Sequence, residues 1–144
     1  MENLPINQTL SRVKKIVLTA LLFIALGTVL ELYLLDHYED TQQLIPIICI
    51  GAMLLMMLVT AFSLSDVISK LFRFTLLLTA FSGIYGTYLH LMVNYEFELE
   101  MTPSASAWTL FKESLSGALP ALAPGSMVIL ALIGYLYITL LKQQ

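Results

Sequence analysis

The stretch that decides the fold is Ser82–Met101, SGIYGTYLHLMVNYEFELEM, where a strongly apolar segment runs into a row of acids. His90 and Asn94 lie one helical turn apart in its middle, and three glutamates follow with a period of two. Polar side chains are costly in hydrocarbon, so those found near a membrane usually face protein or water. The stretch therefore predicts the end of a membrane-spanning helix, with the membrane boundary near Asn94.

The composition of the whole chain extends this prediction to four spans. Hydrophobic residues make up 58% of the 144 residues and charged residues only 12%, and the mean hydropathy of +0.85 lies outside the range of ordinary soluble proteins. One crossing needs about 20 apolar residues. The segments that meet this length are residues 16–35, 44–62, 70–93 and 121–141. Ser65 and Asp66 are helix-starting residues, so the third helix could begin there and enter the membrane later. We therefore expect an all-α integral membrane protein, a bundle of four transmembrane helices, in which residues 1–144 form a single domain.

The first span follows a polar terminus over residues 1–12, for which we expect no regular structure. Arg12, Lys14 and Lys15 then precede an uncharged run, an arrangement similar to the start of a signal peptide. The apolar run continues to Leu35, which is long enough to cross a membrane. We therefore expect a retained signal anchor.

Two loops are predicted on the side of the membrane opposite the termini, over residues 36–43 and 94–120. Within the longer loop, Thr102 and Pro103 form a helix start signal, because threonine caps a helix and proline fits its first position. The segment to Ser116 predicts a short amphipathic helix that lies in the membrane interface. Its apolar anchors would be Trp108, Phe111 and Leu115.

The residues before this helix alternate strictly between apolar and acidic. Such alternation over residues 95–101 is typical of an extended segment, in which every second side chain points the same way. The carboxylates of Glu96, Glu98 and Glu100 would then face one side. We expect an interfacial extended loop, or a strand edge that pairs with another chain.

Charges divide unevenly between the two sides of this topology. Six of the seven basic residues fall on the side of the termini, and eight of the ten acids fall on the other side. The positive-inside rule then places both termini in the cytoplasm of a plasma or inner membrane. The acidic loops would face outward and attract cations and basic partner surfaces, although loops that lack basic residues are also common for reasons of insertion alone.

The first and third spans run in the same direction and should reach the outer surface together. Gly27 lies four residues before Glu31, and Gly86 lies four residues before His90, so each helix offers a small packing residue one turn below a polar one. Gly83 adds a second small residue on the third span. We hypothesise that Glu31 and His90 face each other as a hydrogen-bonded or ionic pair.

This polar pair could also belong to a metal site. Imidazole and carboxylate groups are ordinary ligands of zinc, iron and manganese. The candidate ligands of a divalent metal are His90, Glu31, His37, Asp36, Glu96, Glu98 and Glu100. Their spacing matches no established metal motif, so a structural polar pair and a pH-responsive His90 remain the alternatives.

The sequence offers no catalytic motif: it has no nucleophile elbow, phosphate-binding glycine loop or cysteine pair, and no nucleic-acid-binding signature. We therefore expect an interaction or accessory subunit of a membrane assembly, bound to a protein partner or to a second copy of itself. The alternative is an outer-face cation- or metal-binding protein, a sensor, transporter or metalloenzyme, that uses Glu31, His90 and the nearby loop carboxylates. A third class, an outer-face enzyme with one of these two residues as its acid or base, would need an enclosed cleft.

Overall fold

The computed structural model describes residues 6–143, and these residues form helices and short connections without a β-strand. The α-helices in chain order are α1 (Ile6–Leu34), α2 (Thr41–Phe62), α3 (Asp66–Met101), α4 (Ala107–Leu115) and α5 (Ser126–Leu141), with a 3₁₀ turn at Ala123–Gly125. Within the described residues, four helical segments are long and apolar enough to cross a membrane: α1, α2, α3, and α5 together with its 3₁₀ turn. The predictions of an all-helical protein and of four candidate spans are confirmed.

The helix α1 begins earlier than predicted. It is helical from Ile6, so the expectation of an irregular segment is wrong for residues 6–12, while residues 1–5 lie outside the described part of the chain. The helix ends at Leu34, and Asp36 then turns the chain with a φ of 51°. Aspartate is among the residues that tolerate this left-handed conformation.

Local capping explains where α2 begins. The Asp40 side chain accepts hydrogen bonds from the backbone N–H groups of Gln42 and Gln43, at 2.8 and 2.9 Å. These bonds satisfy donors that would otherwise be unpaired at a helix start, so the helix begins at Thr41 rather than at residue 44. Pro46 is accommodated near this start, where its missing N–H costs little.

The helix α3 is much longer than a membrane crossing. Ser65 caps its start by accepting a hydrogen bond from the backbone N–H of Ile68 at 3.2 Å, as expected from the Ser65 and Asp66 signal. Its 36 residues correspond to a length of about 54 Å at 1.5 Å per residue. The hydrocarbon core of a bilayer is only about 30 Å thick.

The prediction of an extended segment over residues 95–101 is wrong, because α3 continues through it to Met101. Thr102 closes the helix, with its backbone N–H and its Oγ1 both donating to the carbonyl of Glu98, at 2.9 and 2.8 Å. A strand needs a partner strand, and none is found among residues 6–143, whereas the glutamate, leucine and methionine residues of this segment are good helix formers. In the helix, Glu96 and Glu100 share a face, and Glu98 lies away from them.

The helix start predicted at Thr102 and Pro103 is also wrong, because Thr102 serves as the C-cap of α3. The next helix, α4, begins at Ala107, where Ser106 Oγ accepts a hydrogen bond from the backbone N–H of Thr109 at 3.2 Å. A short helix is therefore present between the third and fourth spans, but it starts four residues later than its predicted first residue.

The helix α3 has the most extensive packing in the described structure. It packs along α2 and α5, and α1 packs mainly against α5 and less extensively against α2. An ion pair of 2.9 Å between Lys142 Nζ and Asp66 Oδ1 joins the end of α5 to the start of α3, so these two helices run antiparallel. The buried core contains residues from all four long helices: Leu21, Ala25, Ile50, Met53, Phe72, Leu76, Leu130 and Ile138.

The three glycines predicted to pack helices differ in how close their neighbours lie. A Cβ atom at Gly83 would lie 2.7 Å from the carbonyl oxygen of Pro124 and 2.8 Å from Met127 Cβ. A Cβ atom at Gly86 would lie 2.9 Å from Pro124 Cβ. Both glycines therefore allow the start of the last span to approach α3 closely. Gly27, in contrast, has no atom within 4 Å of the position a Cβ would occupy.

Candidate functional site

Most of the predicted site residues lie at one end of the molecule, formed by the C-terminal part of α3, the helix α4 and the loop between α1 and α2. In this region the rings of His37 and His90 approach edge to face, with centroids 6.4 Å apart and planes at 70°. His90 Nδ1 lies 3.2 Å from the carbonyl oxygen of Pro120. A carbonyl oxygen can only accept, so this contact favours the tautomer of His90 that carries its proton on Nδ1.

The hypothesised contact between Glu31 and His90 is not formed in the described structure. Glu31 is exposed, and the ion pair found in the described residues joins Lys142 to Asp66 instead. Equal depth on two parallel helices does not make the helices neighbours. The helix α1 packs mainly on α5, whereas His90 belongs to α3.

The candidate metal ligands are not gathered into one site. Within the described residues, no group of three or more His, Cys, Asp or Glu side chains is arranged to hold a metal ion. Asp36 accepts a hydrogen bond of 2.8 Å from the Tyr38 hydroxyl, and Glu98 is turned away from Glu96 and Glu100 on α3. The structure brings together only two of the candidates, His37 and His90. A divalent metal at this end remains a prediction.

The surroundings of His37 favour its neutral form. Partial burial lowers the pKa of His37 below its ordinary value of 6.5, the neighbouring His90 lowers it further, and Asp40 opposes both effects. His37 lies in the loop outside the helices. The charged form of this imidazole is therefore less stable in the folded protein than in water.

We expect the His37 contact to make the protein less stable at mildly acidic pH. Because folding lowers the pKa of His37, the unfolded chain binds the proton more tightly. The stabilisation that comes from neutral His37 is complete above pH 6.5, and it is lost as the pH falls through the lowered pKa of His37. The midpoint of thermal unfolding should therefore drop more between about pH 8 and about pH 5 in the wild type than in His37→Gln. Equal drops in the two proteins would contradict this role.

Asn94, which was not among the predicted site residues, connects α3 to the end of α4 and to the segment after it. Asn94 is 2% exposed, and its Nδ2 donates to the carbonyl oxygens of Ser114 and Leu119 at 2.9 and 2.8 Å. Its Oδ1 accepts from the backbone N–H of Leu119 at 3.0 Å. A Cβ at Gly117 would lie 2.5 Å from Asn94 Cγ. Asn94 therefore fastens the end of α4 and the following connection to α3.

We call residues 94–116 the α3–α4 hairpin. Leu110 and Ser114 are buried where α4 packs on α3. On the other faces of the hairpin, Trp108 is 67% exposed and Phe97 is 51% exposed, and the Trp108 ring stacks on Phe111 with centroids 5.8 Å apart. Phe111 and Leu115 are also exposed, as are Glu96 and Glu100. The hairpin thus presents aromatic side chains beside carboxylates.

Two surface grooves lie away from the two histidines. One of about 430 Å³ is lined by residues of α1 alone, between Lys15 and Phe23. Another of about 250 Å³ joins the end of α2 to Tyr137 and Leu141 on α5. Neither of these two grooves is lined by His37 or His90.

Comparison with protein-family models, with curated proteins and with solved structures finds no match for this chain.

Proposed function

We propose that this chain is an interaction or accessory subunit of a membrane assembly, inserted as a bundle of four spans with both termini in the cytoplasm. The observation that carries the proposal is the α3–α4 hairpin, which presents exposed aromatic side chains on α4 and on the part of α3 that extends beyond the length of a crossing. Orientation, depth and surface chemistry support this role in turn.

The orientation follows from the distribution of charge. The contact between Asp66 and Lys142 places the end of α5 beside the start of α3, so Lys70, Arg73 and Lys142 all belong to one end of the molecule. The hairpin at the other end carries several acids and one base, Lys112. The positive-inside rule favours the basic end in the cytoplasm of a plasma or inner membrane.

The depth follows from the length of α3. If Arg73 lies at the level of the inner headgroups, the apolar stretch of about 20 residues that follows crosses the hydrocarbon and ends near Val93. Residues 94–101 then extend about 12 Å beyond it, at 1.5 Å per residue. The hydrogen bonds of Asn94 to the end of α4 would lie at this boundary and support the projecting hairpin.

The surface chemistry of the hairpin suits a protein partner. Exposed aromatic side chains are enriched in protein interfaces because they bury a large area with little loss of conformational entropy. Phe97, Trp108 and Phe111 provide such side chains, and Glu96 and Glu100 are exposed on the same hairpin. A partner with a basic and apolar surface would complement this combination. The competing interpretation keeps Trp108, Phe111 and Leu115 as anchors among the lipid headgroups.

The alternative function, cation binding at the outer face, is supported by the proximity of His37 and His90. Two imidazoles are fewer protein ligands than the three or four that zinc sites commonly use. Metal analysis of the purified protein beside a His37→Ala, His90→Ala variant tests it. Stoichiometric metal in the wild type that disappears in the variant would favour this alternative.

The interaction role is tested by photo-crosslinking in intact cells. A benzophenone amino acid is introduced at Phe97 or Phe111, with Phe81 as the matched control, because Phe81 is a similarly exposed phenylalanine of α3 within the span. We expect discrete protein adducts at Phe97 and Phe111, and lipid adducts at Phe81. A protein adduct that is a second copy of this chain would identify the partner as a homo-oligomer. Only lipid adducts at all three positions would overturn the proposal and favour headgroup anchoring.

A further inference from the structure

We propose that Arg73 binds the phosphate of an anionic phospholipid at the basic end of the molecule, in the seam between α3 and α5. The proposal requires insertion of the four spans, but it does not depend on the partner role of the α3–α4 hairpin. It begins from a cation on a long apolar helix that forms no ion pair at contact distance among the described residues, since Asp66 is in contact with Lys142.

The guanidinium of Arg73 is fixed but not neutralised. Its Cζ lies 5.5 Å from the centroid of the Tyr135 ring on α5, within the range of a cation–π contact. Its Nε is buried without a hydrogen-bond partner in the described structure, where the ion pair found is Lys142 with Asp66. The Arg73 side chain as a whole is half-buried, so the burial concerns the Nε–H group. A buried polar group is costly without a hydrogen-bond partner, and this N–H therefore needs an acceptor.

The depth of Arg73 matches that of a lipid phosphate. The Asp66–Lys142 pair sets the register of the two antiparallel helices. Arg73 lies seven residues after Asp66 on α3, and Tyr135 lies seven residues before Lys142 on α5. Seven residues are about 10 Å along a helix. Arg73 therefore lies at the point where the charged start of α3 gives way to its apolar stretch, which is where headgroups and hydrocarbon meet.

The neighbouring side chains suit the rest of a phospholipid. Lys70 is exposed one turn before Arg73 and adds a second cation. Further into the span, Leu77 and Leu132 are 51% and 66% exposed, and both offer apolar surface to an acyl chain. Arginine recognises phosphate through two parallel hydrogen bonds, and basic pockets between membrane helices are known sites for anionic headgroups. The geometry thus provides a phosphate contact beside an acyl-chain contact.

The experiment counts bound lipid by native mass spectrometry of the detergent-purified protein. The protein is titrated with phosphatidylglycerol, with phosphatidylcholine as the neutral lipid and with inorganic phosphate as the free anion. The variants are Arg73→Gln, Arg73→Lys and Tyr135→Leu. The matched control is Lys15→Gln, which removes an exposed positive charge from α1 on the same predicted side of the membrane. Circular dichroism shows whether each variant keeps its helix content.

We expect the wild type and Lys15→Gln to bind phosphatidylglycerol about tenfold more tightly than phosphatidylcholine, because the choline ammonium of phosphatidylcholine offsets the charge of its phosphate. Arg73→Gln should lose that preference, and Arg73→Lys should lose part of it, because lysine makes no bidentate contact. Inorganic phosphate should not compete at equal concentration, since it lacks the acyl chains. Tyr135→Leu, which removes the ring but keeps the cation, should also weaken the preference. An unchanged lipid preference in a folded Arg73→Gln protein, or no preference in the wild type, would overturn the proposal.

Discussion

Replacing Gly83 with alanine should destabilise the protein by about 1–3 kcal/mol, the usual cost of adding volume to a well-packed contact. The new methyl group would lie 2.7 Å from the Pro124 carbonyl oxygen and 2.8 Å from Met127 Cβ. The Pro124 oxygen and Met127 Cβ belong to the backbone or lie directly on it, so they cannot move aside as the end of a flexible side chain can. The start of the last span would have to move away from α3.

The matched control is Gly27→Ala, also in the middle of a long helix. No atom lies within 4 Å of the position that its Cβ would occupy, so we expect no loss of stability, and a gain of up to about 1 kcal/mol from helix propensity. Unfolding in mixed detergent micelles, followed by circular dichroism, measures both variants. Equal effects of the two substitutions would show that Gly83 is not a close-packing position.

Replacing Asn94 with alanine should release the end of α4 from α3. The substitution removes three hydrogen bonds and leaves the N–H of Leu119 and two carbonyl groups without their partner. A buried group left without its partner costs about 1–3 kcal/mol. We expect hydrogen exchange at the Leu119 amide to become at least about tenfold faster, since each factor of ten corresponds to about 1.4 kcal/mol.

A double-mutant cycle with Gly117 makes this test specific. In the wild type a Cβ at Gly117 would lie 2.5 Å from Asn94 Cγ, so Gly117→Ala should also destabilise the protein. In the Asn94→Ala background Cγ and Nδ2 are absent and the Cβ of residue 94, at 2.9 Å, remains, so the same substitution should cost less. Additive effects of the two substitutions would contradict direct contact between these residues.

The main helices could be predicted from the sequence because hydrophobic length and local capping determine them. The apolar runs identified all four candidate spans, and the Ser65–Asp66 signal identified the start of α3. The interaction of Asp40 with its own helix start also uses only neighbouring residues. Such features need no knowledge of which helices are neighbours.

Other features depend on tertiary contacts that the sequence pattern does not contain. The alternating residues 95–101 fit a strand as a pattern, but α4 packs on this end of α3 and the segment is helical. The proposed pair of Glu31 and His90 assumed that parallel helices are neighbours, whereas α1 packs mainly on α5. The role of Asn94 depends on carbonyl groups 20 and 25 residues away, which side-chain spacing cannot reveal.

The placement of the two ends of α3 on opposite sides of a membrane is the claim on which both proposals rest. Single cysteines at Glu100 and Ser65, in a Cys49→Ser background, test it in intact cells with a membrane-impermeant maleimide. Both positions are exposed, and they lie at opposite ends of α3. The account predicts that the cysteine at position 100 reacts at once, and that the cysteine at position 65 reacts only after the membrane is permeabilised. Immediate labelling of position 65 with protection of position 100, or equal labelling of both, would contradict it.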